Sequence, residues 1–192
     1  MQRISLFVLL LGLILLSACR SEYEQMVIRE SKTGVYHDSL LFDYTFGISR
    51  DLFFKMTHDL NKQKLVTQGA GTQKVLYVFQ PGEFPSDPEE IWMHFDGIFN
   101  DDKDLVGMEL LFSYPKWFLG TEKYGSEQLI PSLKQYFQGR FPGNDFVPID
   151  IGLEEIVPLV KIDGNRQIVI FPKDDKDVIV KIEDLKDKFA LN

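Results

Sequence analysis

The stretch IWMHFDGIFNDDKDLVGMELLFSY, residues 91–114, decides the fold class. In residues 91–99, Ile91, Met93 and Phe95 fall on one side of an extended chain, and Trp92 and His94 on the other. Residues 105–114 alternate again, with Val106, Met108, Leu110 and Phe112 on one side. Asn100, Asp101, Asp102, Lys103 and Asp104 form a polar break between them. Period-two alternation on both sides of a short polar break predicts an antiparallel hairpin with one buried face.

Working outward, Lys74–Gln80 alternates in the same way and predicts a strand, set apart from the hairpin by Pro81-Gly82 and Pro85-Ser86-Asp87-Pro88. Upstream of it, Leu52, Phe53, Met56 and Leu60 recur at helical spacing. Ser49 stands where an N-cap belongs and Asp51 where the helix dipole favours an anion, so a helix is expected to about Lys62. Leu40–Phe46 predicts an opening strand ended by Gly47. Downstream, Leu129, Ile130, Leu133, Tyr136 and Phe137 predict a second helix capped by Ser126, with Pro131 tolerable only near the first turn. Ile156–Asp163, Arg166–Pro172 and Val178–Glu183 predict three closing strands. Asp163-Gly164-Asn165 is a tight-turn signal and Asp174–Asp177 a polar hairpin tip.

The order helix–strand–strand–strand thus occurs twice. Ser49, Leu52, Phe53, Met56 and Leu60 match Ser126, Leu129, Ile130, Leu133 and Phe137, each 77 positions on. The expectation is an α+β fold of two αβββ-like units, residues 39–120 and 121–192, as a tandem duplication would give. Helices should pack on one face of a mainly antiparallel sheet, because the short connections cannot make parallel crossovers.

The N-terminus reads differently. Met1-Gln2-Arg3 carries one positive charge, Ile4–Leu16 is an almost unbroken apolar run, and small residues follow. This is the order of a secretory signal peptide. The run is short of the roughly 20 apolar residues a spanning helix needs. Leu16-Ser17-Ala18-Cys19 resembles a bacterial lipobox, in which the cysteine is diacylated and the chain cut just before it. The expected organisation is a lipoprotein signal peptide over 1–18, a lipidated N-terminus and charged tether over 19–38, and a folded domain over 39–192. Fully extended, the tether would reach on the order of 60 Å.

Composition narrows the function. The chain has a formal net charge of −8, and Arg3 is the one charged side chain in residues 1–18, so the remainder is more acidic still. No Lys/Arg cluster supplies the basic face that phosphate neutralisation needs, so no nucleic-acid partner is expected. Cys19 is the single cysteine, and lipidation consumes it, leaving no disulfide, thiol nucleophile or cysteine metal ligand. The aromatic residues, sixteen Phe of which Phe7 falls in the expected signal peptide, seven Tyr and two Trp, must then hold the core together by packing alone.

No chemical constellation stands out. His37, His58 and His94 have no metal-ligand spacing. The acidic runs Asn100, Asp101, Asp102, Asp104 and Asp174, Asp175, Asp177 lack the alternating ligands, glycine and distant glutamate of a calcium loop, and fit hairpin tips. Glu83, Glu89, Glu90, Glu154 and Glu155 offer no evident catalytic pair. There is no Gly-x-Ser-x-Gly elbow, and Gly69-Ala70-Gly71 leads into a strand where a dinucleotide loop would need a helix. No catalytic residue, metal or cofactor is therefore predicted. In the stretch Tyr114-Pro115-Lys116-Trp117-Phe118-Leu119-Gly120, Tyr114, Trp117 and Phe118 are the candidate partner contacts, since aromatic anchors on loops often carry binding. The competing reading folds these rings back over the sheet as a core lid. Trp92, opposite Met93, is a second aromatic open to both readings.

Phe46-Gly47-Ile48-Ser49, Leu60–Leu65 and Val160–Ile168 together resemble a family of Bacteroides-type lipoproteins without an established activity, which implies an address and no chemistry. Strand–Gly-Ile-Ser–helix followed by antiparallel strands is similar to the BLIP-like folds. These include small lipoproteins of the outer-membrane β-barrel assembly machine and tandem-repeat β-lactamase inhibitor proteins, and the likeness implies binding or scaffolding. The expected function is therefore a lipid-anchored envelope protein that binds a protein partner. Its expected location is the outer membrane, because Arg20 stands where an inner-membrane aspartate signal would be. An envelope hydrolase with a site built from distant residues is one alternative. An inhibitor or immunity protein, whose acidic surface would suit a basic partner, is another.

Overall fold

A computed structural model describes residues 21–69, 74–84, 87–116, 122–153 and 156–189. Among them are four α-helices: α1 (Glu22–Ser31), α2 (Arg50–Lys62), α3 (Ser126–Arg140) and α4 (Leu185–Phe189). Eight strands make one sheet: β1 (Thr67–Gln68), β2 (Val75–Phe79), β3 (Ile91–Phe99), β4 (Leu105–Ser113), β5 (Val147–Pro148), β6 (Leu159–Asp163), β7 (Arg166–Pro172) and β8 (Val178–Asp184). The strand order is β1-β2-β3-β4-β8-β7-β6-β5, and every neighbouring pair is antiparallel. The fold is α+β. Each long helix is followed by a two-residue strand and then three full strands.

Register fixes which side chains share a face. Phe95, Leu110, Val180, Ile170 and Leu159 lie opposite one another in turn, as do Met108, Ile182, Ile168 and Lys161. Apart from Lys161, this set belongs to the main core, together with Phe53 of α2 and Leu129, Leu133 and Phe137 of α3. Leu105, rather than Val106, is buried at the start of β4, because the pairing shifts register at Ile98/Phe99.

The α2 helix starts as its sequence requires: the Ser49 side chain accepts a hydrogen bond from the Leu52 amide at 3.3 Å. Phe53 is buried against Tyr44, with ring centroids 4.6 Å apart, whereas Leu52 of the expected apolar stripe is exposed. The cap of α3 is Gly125. Ser126 is the first helical residue, and its amide is satisfied by the Asp175 carbonyl at 2.8 Å. Pro131 sits inside this helix, beyond the first turn.

Two expectations need correction. Leu40–Phe46 is a plug, not a strand. A 3₁₀ turn covers Leu41–Asp43, Phe42 and Asp43 take positive φ, and Leu40, Leu41, Tyr44 and Phe46 are all buried. Adjacent Leu40 and Leu41 both point inward, which no half-buried strand allows. The second correction concerns residues 20–38. The described part of this expected tether holds helix α1, opened by a capping box in which Ser21 Oγ accepts from the Glu24 amide and Glu24 Oε2 from the Ser21 amide. Met26 of α1 is buried in a second cluster with Ile149, Val160, Ile162 and Leu185.

The β6–β7 hairpin tip locks this N-terminal segment in place. The His37 amide donates to Asn165 Oδ1 at 2.6 Å, and Arg166 Nη1 donates to Ser39 O at 3.2 Å and Ser39 Oγ at 3.1 Å. Tyr36 Oη donates to Asp184 Oδ2 at 3.3 Å. Gly164 has φ +57°, and a Cβ there would stand 2.3 Å from the Val35 carbonyl oxygen, so the turn admits only glycine without displacement.

Candidate interaction surface

Alternation gives the sheet a second face, and its rows can be read from the register. The first row is Leu76, His94, Leu111, Ile179 and Phe171, running across five strands, with Val78, Trp92 and Ser113 beside it. The next is Asp96, Glu109, Lys181, Val169 and Val160. The third is Ile98, Gly107, Glu183, Gln167 and Ile162. Helix α1 covers the end of this face, where Val160 and Ile162 lie.

Among the described residues the first row belongs to no such cluster. Leu76, Val78, Trp92, Leu111, Ile179 and Phe171 are all partly exposed and belong to neither core cluster. The Trp92 indole donates to Glu90 Oε1 at 2.7 Å, and its ring meets that of His94 edge-on at 6.5 Å. Burial lowers the His94 pKa, with Lys74 and Lys176 adding to the effect and Asp177 opposing it. In the charged row, Glu109 takes Lys181 at 3.3 Å and, from outside the row, Lys74 at 2.7 Å, while Asp96 accepts the Gly97 amide at 2.8 Å. Beyond it, Glu183 takes Lys188 at 2.9 Å. The Glu109 carboxylate is held below its usual range, first by the Lys74 hydrogen bond and then by the charges of Lys74 and Lys181.

A second apolar feature lies at the sheet edge. In the loop between β5 and β6, Ile151, Leu153 and Val157 are exposed at 50%, 57% and 53%. Leu159 follows and pairs with Ile170, so this loop stands at the Phe171 end of the sheet.

Of the aromatic contacts predicted from sequence, Trp117 and Phe118 lie outside the described residues, as does Cys19. Tyr114 is described, and it is not a surface anchor: it is 3% exposed. Its hydroxyl donates to Asp87 Oδ2, which Ser132 Oγ also meets at 3.3 Å, while Asp87 Oδ1 accepts the Glu89 amide at 3.0 Å. Burial, and then the Asp87 carboxylate, push the phenol pKa well above its ordinary value. Just outside, Glu89 binds Lys116 at 2.9 Å and Lys123 at 3.6 Å, which depresses the carboxylate chiefly through the Lys116 hydrogen bond. Glu89 thus holds Lys116 and Lys123 together.

The remaining polar residues are dispersed. His37 is at the hairpin clamp, His58 is exposed on α2 and His94 is on the open sheet face. Among the described residues no three His, Cys, Asp or Glu side chains gather to hold a metal. Asn100 Oδ1 accepts the Asp104 amide at 2.9 Å, and Asp174 Oδ1 accepts the Lys176 and Asp177 amides at 2.9 and 2.7 Å, so both side chains close turns. Glu83 meets Tyr77 Oη at 3.5 Å and Glu90 meets Trp92; Glu154 and Glu155 lie outside the described residues.

Sequence reasoning missed two features here. One is the row Leu76–Phe171, which needs the register of five strands and has no local signal. The other is the exposed set Ile151, Leu153 and Val157; the strand expected from Ile156 begins only at Leu159. No family model, curated protein or solved structure matches the chain.

Proposed function

We propose that the chain is a lipid-anchored protein of the bacterial cell envelope, held through Cys19 at the outer membrane, whose α+β domain binds or scaffolds a protein partner. The anchor rests on residues 1–19: a basic start, an apolar core, small residues, then cysteine. The binding role rests on one observation, the apolar surface left outside both core clusters, above all the exposed Ile151, Leu153 and Val157. Contiguous exposed apolar residues on an otherwise complete domain mark interaction sites. Anchoring would raise the effective concentration of such a site for any partner confined to the same membrane.

The two halves also support a tandem duplication. Each contributes a long helix, a two-residue strand and three longer strands, and the strand order mirrors about the β4–β8 pair. Phe53 of α2 and Leu133 of α3 share one cluster, which favours both long helices on the same face. The BLIP-like resemblance rests on the same order of elements.

The test is crosslinking in intact cells, affinity purification and mass spectrometry, with Cys19→Ala as the unanchored control. The expected result is one protein recovered in near-equal amount and lost with the anchor. A wild type that enriches nothing over the control overturns the binding role. Equal incorporation of a lipid-analogue label into wild type and Cys19→Ala overturns the anchor.

A further inference from the structure

We propose that the open sheet face carrying Val78, Trp92, Leu111, Ile179 and Phe171 is a membrane-contact face, and that its occupant is the lipid surface in which Cys19 is anchored. The proposal rests on lipidation at Cys19 and adds an orientation to it.

The first argument is where the chain arrives. Helix α1 lies on this face, packed on Val160 and Ile162. Near its N-terminus, Tyr23 Oη donates to Gln167 Oε1 at 2.6 Å, and Gln167 is in the third row of the same face. Cys19 precedes the N-cap Ser21 by two residues, a span of at most about 7 Å. An acyl chain on Cys19 would therefore be held close to this side of the domain. Gln167 and Phe171 are four residues apart on β7, about 13 Å along the strand. A bilayer that holds acyl chains at Cys19 is within reach of the apolar row, and α1, being docked, leaves little slack to turn the face away.

The second argument is chemical. The row presents aliphatic side chains and Phe171 with Trp92 beside them, and Trp92 keeps its indole N–H on Glu90. An aromatic with an apolar body and a satisfied polar end suits the boundary between headgroups and acyl chains. The third argument is charge. The chain is strongly acidic as a whole, yet on this face Glu109 is paired with Lys74 and Lys181 and Glu183 with Lys188, which leaves Asp96, bonded to the Gly97 amide, as the carboxylate of these rows without a lysine partner. Lys74, Lys181 and Lys188 offset Asp96, Glu109 and Glu183, so an anionic lipid surface meets little net charge in these rows.

The single native cysteine makes the test direct, because acylation leaves Cys19 unavailable to thiol reagents. Full-length lipidated chain carrying Phe171→Cys, Val78→Cys or, as the control, Leu52→Cys on exposed α2 is labelled with an environment-sensitive fluorophore. It is then reconstituted in phosphatidylethanolamine/phosphatidylglycerol vesicles with and without a headgroup-spin-labelled lipid. The expected result is a blue shift and loss of fluorescence to the spin label at positions 171 and 78, with neither at 52. Two positions guard against one local disturbance. Vesicle flotation with no quenching at 171 and 78 overturns the proposal alone. Failure to float, with cysteine labelling at position 19, overturns the anchor and the proposal together. A blue shift without lipid quenching, accompanied by dimers in sedimentation, assigns the face to a second copy and also overturns it.

Discussion

Lys161 and Asp163 provide the sharpest test of how the second half of the sheet is held. Both side chains are buried, with exposures of 0% and 7%, and Lys161 Nζ stands 2.8 Å from Asp163 Oδ2. That oxygen has no hydrogen-bond donor among the described residues, so charge compensates it, from the Lys161 ammonium in contact and the buried Arg166 guanidinium nearby. Asp163 Oδ1 accepts the Asn144 amide at 2.7 Å, and Lys161 Nζ donates to the Asn144 carbonyl. Removing one partner leaves the other charge buried, which costs about 3–5 kcal/mol. Lys161→Met and Asp163→Asn should each lose that much. The double variant carries neither charge and gives up the bonds to Asn144 and the Asp163 charge near Arg166, so it should lose about 2 kcal/mol, less than either single variant. With a urea slope of about 2 kcal/mol/M, each single variant moves the unfolding midpoint down by about 1.5–2.5 M and the double variant by about 1 M. Urea unfolding followed by circular dichroism reads this. Single variants that fold normally and lose under about 1 kcal/mol would refute the reasoning, as would a double variant as unstable as the two singles combined.

The other predictions follow from single observations. Gly164→Ala places a Cβ 2.3 Å from the Val35 carbonyl at φ +57°, so it should cost more than about 1 kcal/mol and speed protease cleavage in residues 33–39. Phe53→Ala should cost about 3–5 kcal/mol in chemical unfolding, while Phe54→Ala, half-exposed with its ring against Phe53, Phe99 and Arg50, should cost no more than about 1.5 kcal/mol. The folded His94 pKa lies below its unfolded value of about 6.5, so stability is complete above that pH and falls as pH drops through the folded pKa. Comparing unfolding midpoints at pH 7.5 and 5.5 should show a smaller decline in His94→Gln than in wild type. An equal decline would remove His94 from the account.

Much of the fold could be read locally. Ser49 and Phe53 announce α2, and the alternation of 91–114 announces the central hairpin with Ile91, Met93 and Phe95 inward, as observed. Local reading failed where a segment's state is set by what it packs against. Leu40–Phe46 has a strand's composition, but its burial pattern is that of a plug under the sheet. The charges of residues 22–32 suggested a tether, although Ser21 and Glu24 already spelled a capping box and Met26 a buried contact. β1 and β5, two residues each, are too short to leave a periodic trace. Tyr114 shows the same limit at the candidate site: its place in a Pro-flanked aromatic run suggested a surface anchor, while Asp87 and Ser132, distant in sequence, make it interior.

Docking of α1 changes what an anchor at Cys19 would do. A tether of some twenty extended residues lets a domain turn freely and search a radius on the order of 60 Å. Here only residues 20–22 separate Cys19 from Tyr23, which is hydrogen-bonded to Gln167, so the reach contracts to about 13 Å. At that length the anchor sets orientation as well as distance. The loop bearing Ile151, Leu153 and Val157 stands at the Phe171 end of the sheet, at the rim of the face that would meet lipid. A partner drawn to that loop would have to approach along the membrane plane, which favours one that is itself a membrane or membrane-anchored protein. Deleting the α1 contacts, for example with Met26→Asp, should then weaken partner capture even though no residue of the loop is changed. Capture unaffected by Met26→Asp in a protein that still folds and floats with vesicles would separate anchoring from orientation and leave the loop to act alone.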